Sequence, residues 1–195
     1  MSPKLHAGEL MPLEQYARER AEIRAHMIDY RASRRLQLGA HITWSFEDRE
    51  TVRYQVQEML RAERIFEPDA IDEELAAYNP LIPDGNNLKA TLLIEYPDAI
   101  ERAQRLIEFR GIEHRCWLRV SGHDAVIAVA DEDLERSNDT KTSAVHFLRF
   151  ELSDGMIASL TAGAALAAGI DLPACMIAVD PVPATLRAAL LADLA

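Results

Sequence analysis

The chain has 195 residues, 49% of them hydrophobic, a formal net charge of -11 and a pI near 5.0. That length can bury one substantial core, so a single domain over 1–195 is expected, with 1–11 as a flexible N-terminal segment. An acidic total disfavours phosphate backbones and anionic membranes, no apolar run approaches the ~18 residues of a bilayer span, and MSPKLHAGEL lacks the apolar centre of a secretory signal, so nucleic acid and membrane are excluded as partners and a cytoplasmic location is expected.

PLEQYARERAEIRAHMIDYRASRRL, 12 to 36, opens on Pro and spaces Leu13, Tyr16, Ile23, Met27 and Tyr30 at helical intervals, which predicts a long N-terminal helix. LQLGAHITWSF, 36 to 46, alternates apolar residues and predicts a strand interrupted or bulged at Gly39. ETVRYQVQEMLRAERIF, 50 to 66, is the next helix, and EPDAIDEELAAYNPLIP a shorter acidic one stopped by an Asn-Pro step and the turn PDGNN. LKATLLIEY predicts a strand, and PDAIERAQRLIEFRG a helix with Pro in its first turn and Gly beyond its end. Strands follow at HRCWLRV and AVIAVA, joined by the hairpin signal SGHD. The charged loop DEDLERSNDTK leads into the strand SAVHFLRFEL, and SDGMIASLTAG is a Ser-capped helix. The tail holds a short AALAAGI segment, a strand at MIAV and a last helix, PATLRAALLADL. Helices interspersed with hairpin-linked strands make the expected class α+β, a largely antiparallel sheet with helices packed against it.

One residue breaks the pattern. At ~100° per residue, Val52, Val56, Met59 and Phe66 share a narrow stripe of the helix over 50–66, and Glu63 falls inside it. A bare buried carboxylate costs on the order of several kcal/mol, so it must be paired, protonated or reached by water. Three readings stand: an ion pair with Arg20, Arg24 or Arg31 or a helix-end charge reaching solvent; a metal ligand; or a general base. Beside that stripe Arg53, Gln57, Arg61 and Arg64 form a polar ridge, whose Arg53, Arg61 and Arg64 are candidates for binding a small anion.

The histidines and cysteines supply the remaining chemistry. In SAVHFLRFEL, alternation puts Ala144, His146, Leu148, Phe150 and Leu152 on one face, so His146 is a core histidine donating to a carbonyl or carboxylate, or a catalytic or metal-binding group. In EHRCWLRV, His114 and Cys116 are expected to point the same way, either as a soft-metal or thiolate–imidazole pair or with Cys116 as a small buried residue. His41, close to Gly39, is a further candidate. The catalytic candidates are thus Glu63 and His146, and the metal candidates His41, His114, Cys116 and His146. There is no HExxH, EF-hand loop or Glu-x-x-His motif, and no GxSxG, GxxxxGK[ST] or GxGxxG turn. Two cysteines, Cys116 and Cys175, without CxxC spacing exclude a disulfide framework or a four-thiolate zinc site within one chain. In AYNPLIPDGNN, Tyr78, Asn79, Asp84, Asn86 and Asn87 form either a ligand-facing rim or ordinary turn chemistry. Trp117 and Arg119, taken as exposed, mark a homodimer surface or pack beneath a helix.

Three blocks, ETVRYQVQEMLRAERIF, AYNPLIPDGNNLKATLLIEY and KTSAVHFLRFEL, resemble in order a bacterial family of unknown function, domain of unknown function three-five-zero-one, over nearly the whole chain from Leu13. The resemblance implies genes encoded near rubrerythrin-like proteins and iron–sulfur oxidoreductases, hence a role in oxidative stress or electron transfer. It supplies no catalytic residues and no cofactor. Two cysteines are too few for a four-cysteine iron–sulfur cluster, so any cluster would belong to a partner. Charge is uneven: residues 1–64 hold 11 Lys and Arg against 10 Asp and Glu, residues 65–195 hold 10 against 22. The expected function is an accessory protein that binds a redox or oxidative-stress partner through the Arg-bearing first third or the acidic remainder. The alternative is a small metal-dependent or haem-linked enzyme using Glu63 and nearby His and Cys residues. A small-anion sensor is a third.

Overall fold

The computed structural model describes residues 4–194. Six α-helices and nine strands occur in them: α1 Leu13–Ala32, β1 Arg35–Leu38, β2 Ile42–Glu47, α2 Arg49–Glu63, α3 Pro68–Tyr78, β3 Asn87–Ile94, α4 Ala99–Glu108, β4 Cys116–Val120, β5 Val126–Ile127, β6 Val129–Ala130, β7 Val145–Glu151, α5 Asp154–Thr161, β8 Leu166–Leu172, β9 Cys175–Val179 and α6 Ala184–Asp193. All strand pairing is antiparallel, in a five-stranded sheet of order β1-β2-β3-β7-β6 and a four-stranded sheet of order β5-β4-β8-β9. The α+β class and the long N-terminal helix are as expected. There are two sheets, however, and the stretch 36–46 is a hairpin: Gly39, at φ 66°, turns the chain so that Leu36 pairs with Trp44.

Both sheets enclose one core. Residues 126–130 belong to both, with β5 on β4 and β6 on β7, and between them the Ala128 N–H donates to the Cys116 carbonyl at 2.9 Å. Across the five-stranded sheet Leu36, Trp44, Leu92 and His146 form one inward row, which confirms the expected face of β7. Phe109, Met156, Leu160, Leu186 and Leu190 close the same core from the ends of α4 and from α5 and α6. Gly169 on β8 has no side chain because the Trp117 indole lies over it; a Cβ there would sit 2.4 Å from the ring. Trp117 is therefore buried, which corrects its placement on an exposed face, while Arg119 stacks on it at 5.5 Å and meets Asp180.

The outer face of the five-stranded sheet is polar. Glu47 accepts hydrogen bonds from Thr51 at 2.6 Å and Thr91 at 2.8 Å beneath α2. α2 starts at a capping box in which Asp48 accepts from the Thr51 N–H and the Thr51 hydroxyl reaches back to the Asp48 N–H. Val52, Val56 and Leu60 pack with Leu75, Ile82 and Leu5 in a second, smaller cluster. Leu5 is held further by Asn79, whose amide brackets its backbone at 2.8 and 3.0 Å. Within the segment expected to be flexible over 1–11, Leu5, Glu9 and Met11 each bond to the body of the fold, while residues 1–3 lie outside the described residues.

The stripe argument for Glu63 fails at the helix end. α2 stops at Glu63, Arg64 takes a left-handed conformation at φ 58°, and the chain turns away, leaving Glu63 exposed and Phe66 63% exposed. Glu63 is the helix-end charge in solvent. The expected guanidinium strap from α1 exists at Glu58 instead, where Arg20 binds through Nε at 2.8 Å and Nη2 at 2.7 Å and the Tyr16 hydroxyl donates at 2.7 Å. The Arg20 contact, ahead of burial, holds the Glu58 carboxyl below the usual range.

Arg34, between α1 and β1, is a buried cation. It meets Asp48 at 3.1 Å and Asp193 of α6, and Tyr30 donates to Asp48. Burial, with Asp48 adding to it and Arg34 opposing it, pushes the Asp193 carboxyl up to about 6. Its folded pKa lies above its unfolded one, so this group opposes folding once ionised, and that opposition is relieved progressively as pH falls from about 6 toward the ordinary carboxylate range. Urea unfolding between pH 8 and pH 5 is expected to show wild type gaining about 1 to 1.5 kcal/mol relative to Asp193→Asn on acidification. Glu63→Ala is expected to shift the unfolding free energy by less than about 0.5 kcal/mol in the same assay.

Candidate functional site

His146 is fully buried on the inner face of β7, between loops that supply polar partners to both ring nitrogens. Nδ1 lies 2.6 Å from Asp131 Oδ2; a carboxylate only accepts there, so this nitrogen carries the ring proton. Asp131 follows β6 at φ 51°, and its Oδ1 accepts from the Phe147 N–H at 2.9 Å and from Arg136 at 3.4 Å. On the other side Nε2 meets the Thr142 hydroxyl at 2.8 Å, the Ser143 carbonyl at 3.2 Å and Glu113 Oε2 at 3.9 Å. Glu113, 3% exposed, comes from the 3-10 turn Ile112–Arg115. It accepts from Ser137 at 2.5 Å on Oε1 and from Thr142 at 3.3 Å on Oε2.

One ligand atom each from Glu113, Asp131 and His146 lies within 4.8 Å of the others. Burial pulls the Glu113 carboxyl upward, but the Ser137 hydroxyl, its own backbone N–H and the two neighbouring histidines outweigh it and leave the group below the usual range. The geometry is that of an imidazole clamped by one carboxylate and facing a second, an arrangement suited to holding a proton or a cation at Nε2.

The other sequence candidates do not gather here. His114 and Cys116 diverge, because residues 112–115 form a 3-10 turn and the strand begins only at Cys116. The His114 side chain is 68% exposed, with Nε2 3.8 Å from Glu113 Oε1. Cys116 is buried, donates to the Ile112 carbonyl at 3.3 Å, and burial pushes its thiol well up, so it is the small core residue and no thiolate ligand. His41 stacks on Tyr96 at 4.0 Å and bonds the Glu95 carbonyl at 3.1 Å, in another part of the fold. The Arg ridge is interrupted, since Gln57 turns inward to bracket the Met11 backbone and Arg53 pairs with Glu50 at 2.5 Å; Arg61 and Arg64 are exposed at the end of α2. Asn79 and Asn87 are turn and tether residues, Asn87 bonding Asp84 and Glu151. Glu113 and Asp131 were not legible as partners of His146: their carboxylates arrive from a turn and a loop with no fixed spacing to it.

Several openings lie on the helical side. A groove of about 630 Å³ between α1 and α2 is lined by Met11, Tyr16, Ile23 and Met27, with Glu19, Glu22, His26, Glu50 and Arg53 among its polar walls. A cavity of about 330 Å³ between α2, α3 and the outer sheet face is bounded by Glu47, Gln55, Tyr78, Lys89 and Phe147. Among the described residues no helix is long and apolar enough to cross a membrane.

No curated protein matches the chain. A crystal structure described as a novel protein of unknown function from Burkholderia pseudomallei K96243, at 1.90 Å resolution, is similar at 47% identity and a TM-score of 0.94, covering 99% of this chain and 100% of that one. A family model described as Protein of unknown function (DUF3501) matches residues 4–194. Agreement over that whole span, in sequence and in backbone, shows that the chain belongs to the DUF3501 family.

Proposed function

We propose that the protein is an accessory protein that docks a redox or oxidative-stress partner, a rubrerythrin-like protein or an iron–sulfur oxidoreductase, in the groove between α1 and α2. The observation that carries this reading is an unfilled contact between two helices. α1 runs for 20 residues yet buries only Tyr16 and Met27, while Met11, Ile23 and Met27 line an open groove of about 630 Å³. A helix fastened by polar straps, with apolar side chains left along a groove, offers what an amphipathic segment of another protein needs: anchors at i, i+3 and i+4 spacing and a charged rim. Glu19, Glu22 and Glu50 stand against Arg53, so a basic segment fits best. The redox character of the partner is supported by the gene neighbourhood that the family resemblance implies. Both cysteines are buried, in keeping with a cluster carried by the partner.

Mixed with the rubrerythrin-like protein or iron–sulfur oxidoreductase encoded beside it, the protein is expected to elute as a stoichiometric complex in size-exclusion chromatography with light scattering. Ile23→Asp and Glu22→Lys are expected to weaken that complex at least ~10-fold. Failure of both partners to bind, or binding indifferent to Ile23→Asp, defeats this reading.

A further inference from the structure

We propose that the interior beside His146 is a site for a divalent cation of the zinc or ferrous-iron type, ligated by His146 Nε2 and the Glu113 carboxylate, with Asp131 positioning the imidazole. The first reason is a shortage of donors. Nε2, the Ser143 carbonyl and Glu113 Oε2 are three acceptors, and the Thr142 hydroxyl, at 2.8 Å from Nε2 and 3.3 Å from Oε2, has a single proton to offer them. The Ser143 oxygen, 3.2 Å from Nε2, brings two lone pairs face to face unless a positive group lies between.

Charge gives the second reason. Glu113 and Asp131 have side chains only 4% and 8% exposed. Arg136 is the nearest guanidinium, but Asp133 binds it at 2.5 and 2.6 Å and Asp131 only at 3.4 Å. Two interior carboxylates therefore share part of one cation, and burying such an excess is costly unless something compensates it.

The spacing of the donors accommodates a tetrahedral ion. Ligand atoms about 2.1 Å from a tetrahedral ion lie roughly 3.4 Å apart. The separations from Nε2 to the Thr142 oxygen, the Ser143 oxygen and Glu113 Oε2, 2.8, 3.2 and 3.9 Å, bracket that value. One imidazole with oxygen donors suits a borderline divalent ion. The Nδ1–H to Asp131 bond at 2.6 Å is the carboxylate–imidazole pairing that fixes the ring and points the Nε2 lone pair at the ion. The exposed His114, 3.8 Å from the other Glu113 oxygen, marks the end of this carboxylate nearest to solvent.

Chelator-stripped protein titrated with Co(II), followed by visible absorption and calorimetry, is expected to bind one equivalent that Zn(II) displaces, and saturating Zn(II) should raise the melting temperature. Glu113→Gln, close to isosteric, should abolish this binding, and Asp131→Asn should weaken it about 10- to 100-fold. His114→Ala should leave the affinity unchanged. Loss of binding in His114→Ala with retention in Glu113→Gln would assign the ion to a surface histidine and overturn the proposal, as would no binding to wild type. Should Glu113→Gln fail to fold, the wild-type protein decides by ¹⁵N NMR: Zn(II) must move the His146 Nε2 resonance, and an imidazolium unaltered by Zn(II) would make the interior cation a proton.

Discussion

One buried guanidinium ties together parts of the chain that are distant in sequence. Arg34, 3% exposed, receives Asp48 and Asp193 and donates to the Phe46 carbonyl at 3.3 Å, so the exit from α1, the cap of α2 and the last turn of α6 meet on one cation. Asp48 is asked to do two things, capping α2 through Thr51 and neutralising Arg34. Removing Arg34 strands both acids without water, and the cost is on the order of 3 to 5 kcal/mol. The arithmetic of two acids to one base recurs at His146, where Arg136 is likewise shared with an exposed aspartate. The acidic balance of the chain is thus carried into its interior at two points, and in both the unpaired negative charge is what makes the place chemically unusual.

The fold was readable wherever local rules and packing agree. The Ser153 cap and the alternation in β7 give a helix and a strand close to their observed bounds. The errors have local causes. Periodicity continued the first helix through Arg35 and Leu36, where strand pairing with β2 takes over. It also treated 36–46 as one strand, although a left-handed glycine is a turn signal as much as a bulge signal.

The candidate site was half legible. His146 stands out because a lone imidazole on an apolar strand face needs partners, and it has them. Which acids supply them is a matter of tertiary path: Asp131 heads a loop and Glu113 sits on a single turn, neither with a period to betray its direction. The opposite failure occurred at Glu63, whose angular position on α2 was right and whose depth was not. A helical wheel has no axial coordinate, so it cannot say that the last turn of a helix overhangs the body it packs on.

Residues 126–130 have a mechanical implication. One extended stretch serves as the edge of both sheets, and Asp131, which grips His146, is the very next residue. A slip by one position would turn Val126, Ile127, Val129 and Ala130 inside out together and drag the acid off its imidazole. Register in either sheet and the chemistry at the ring are therefore a single variable: the protein cannot loosen one seam and keep the other.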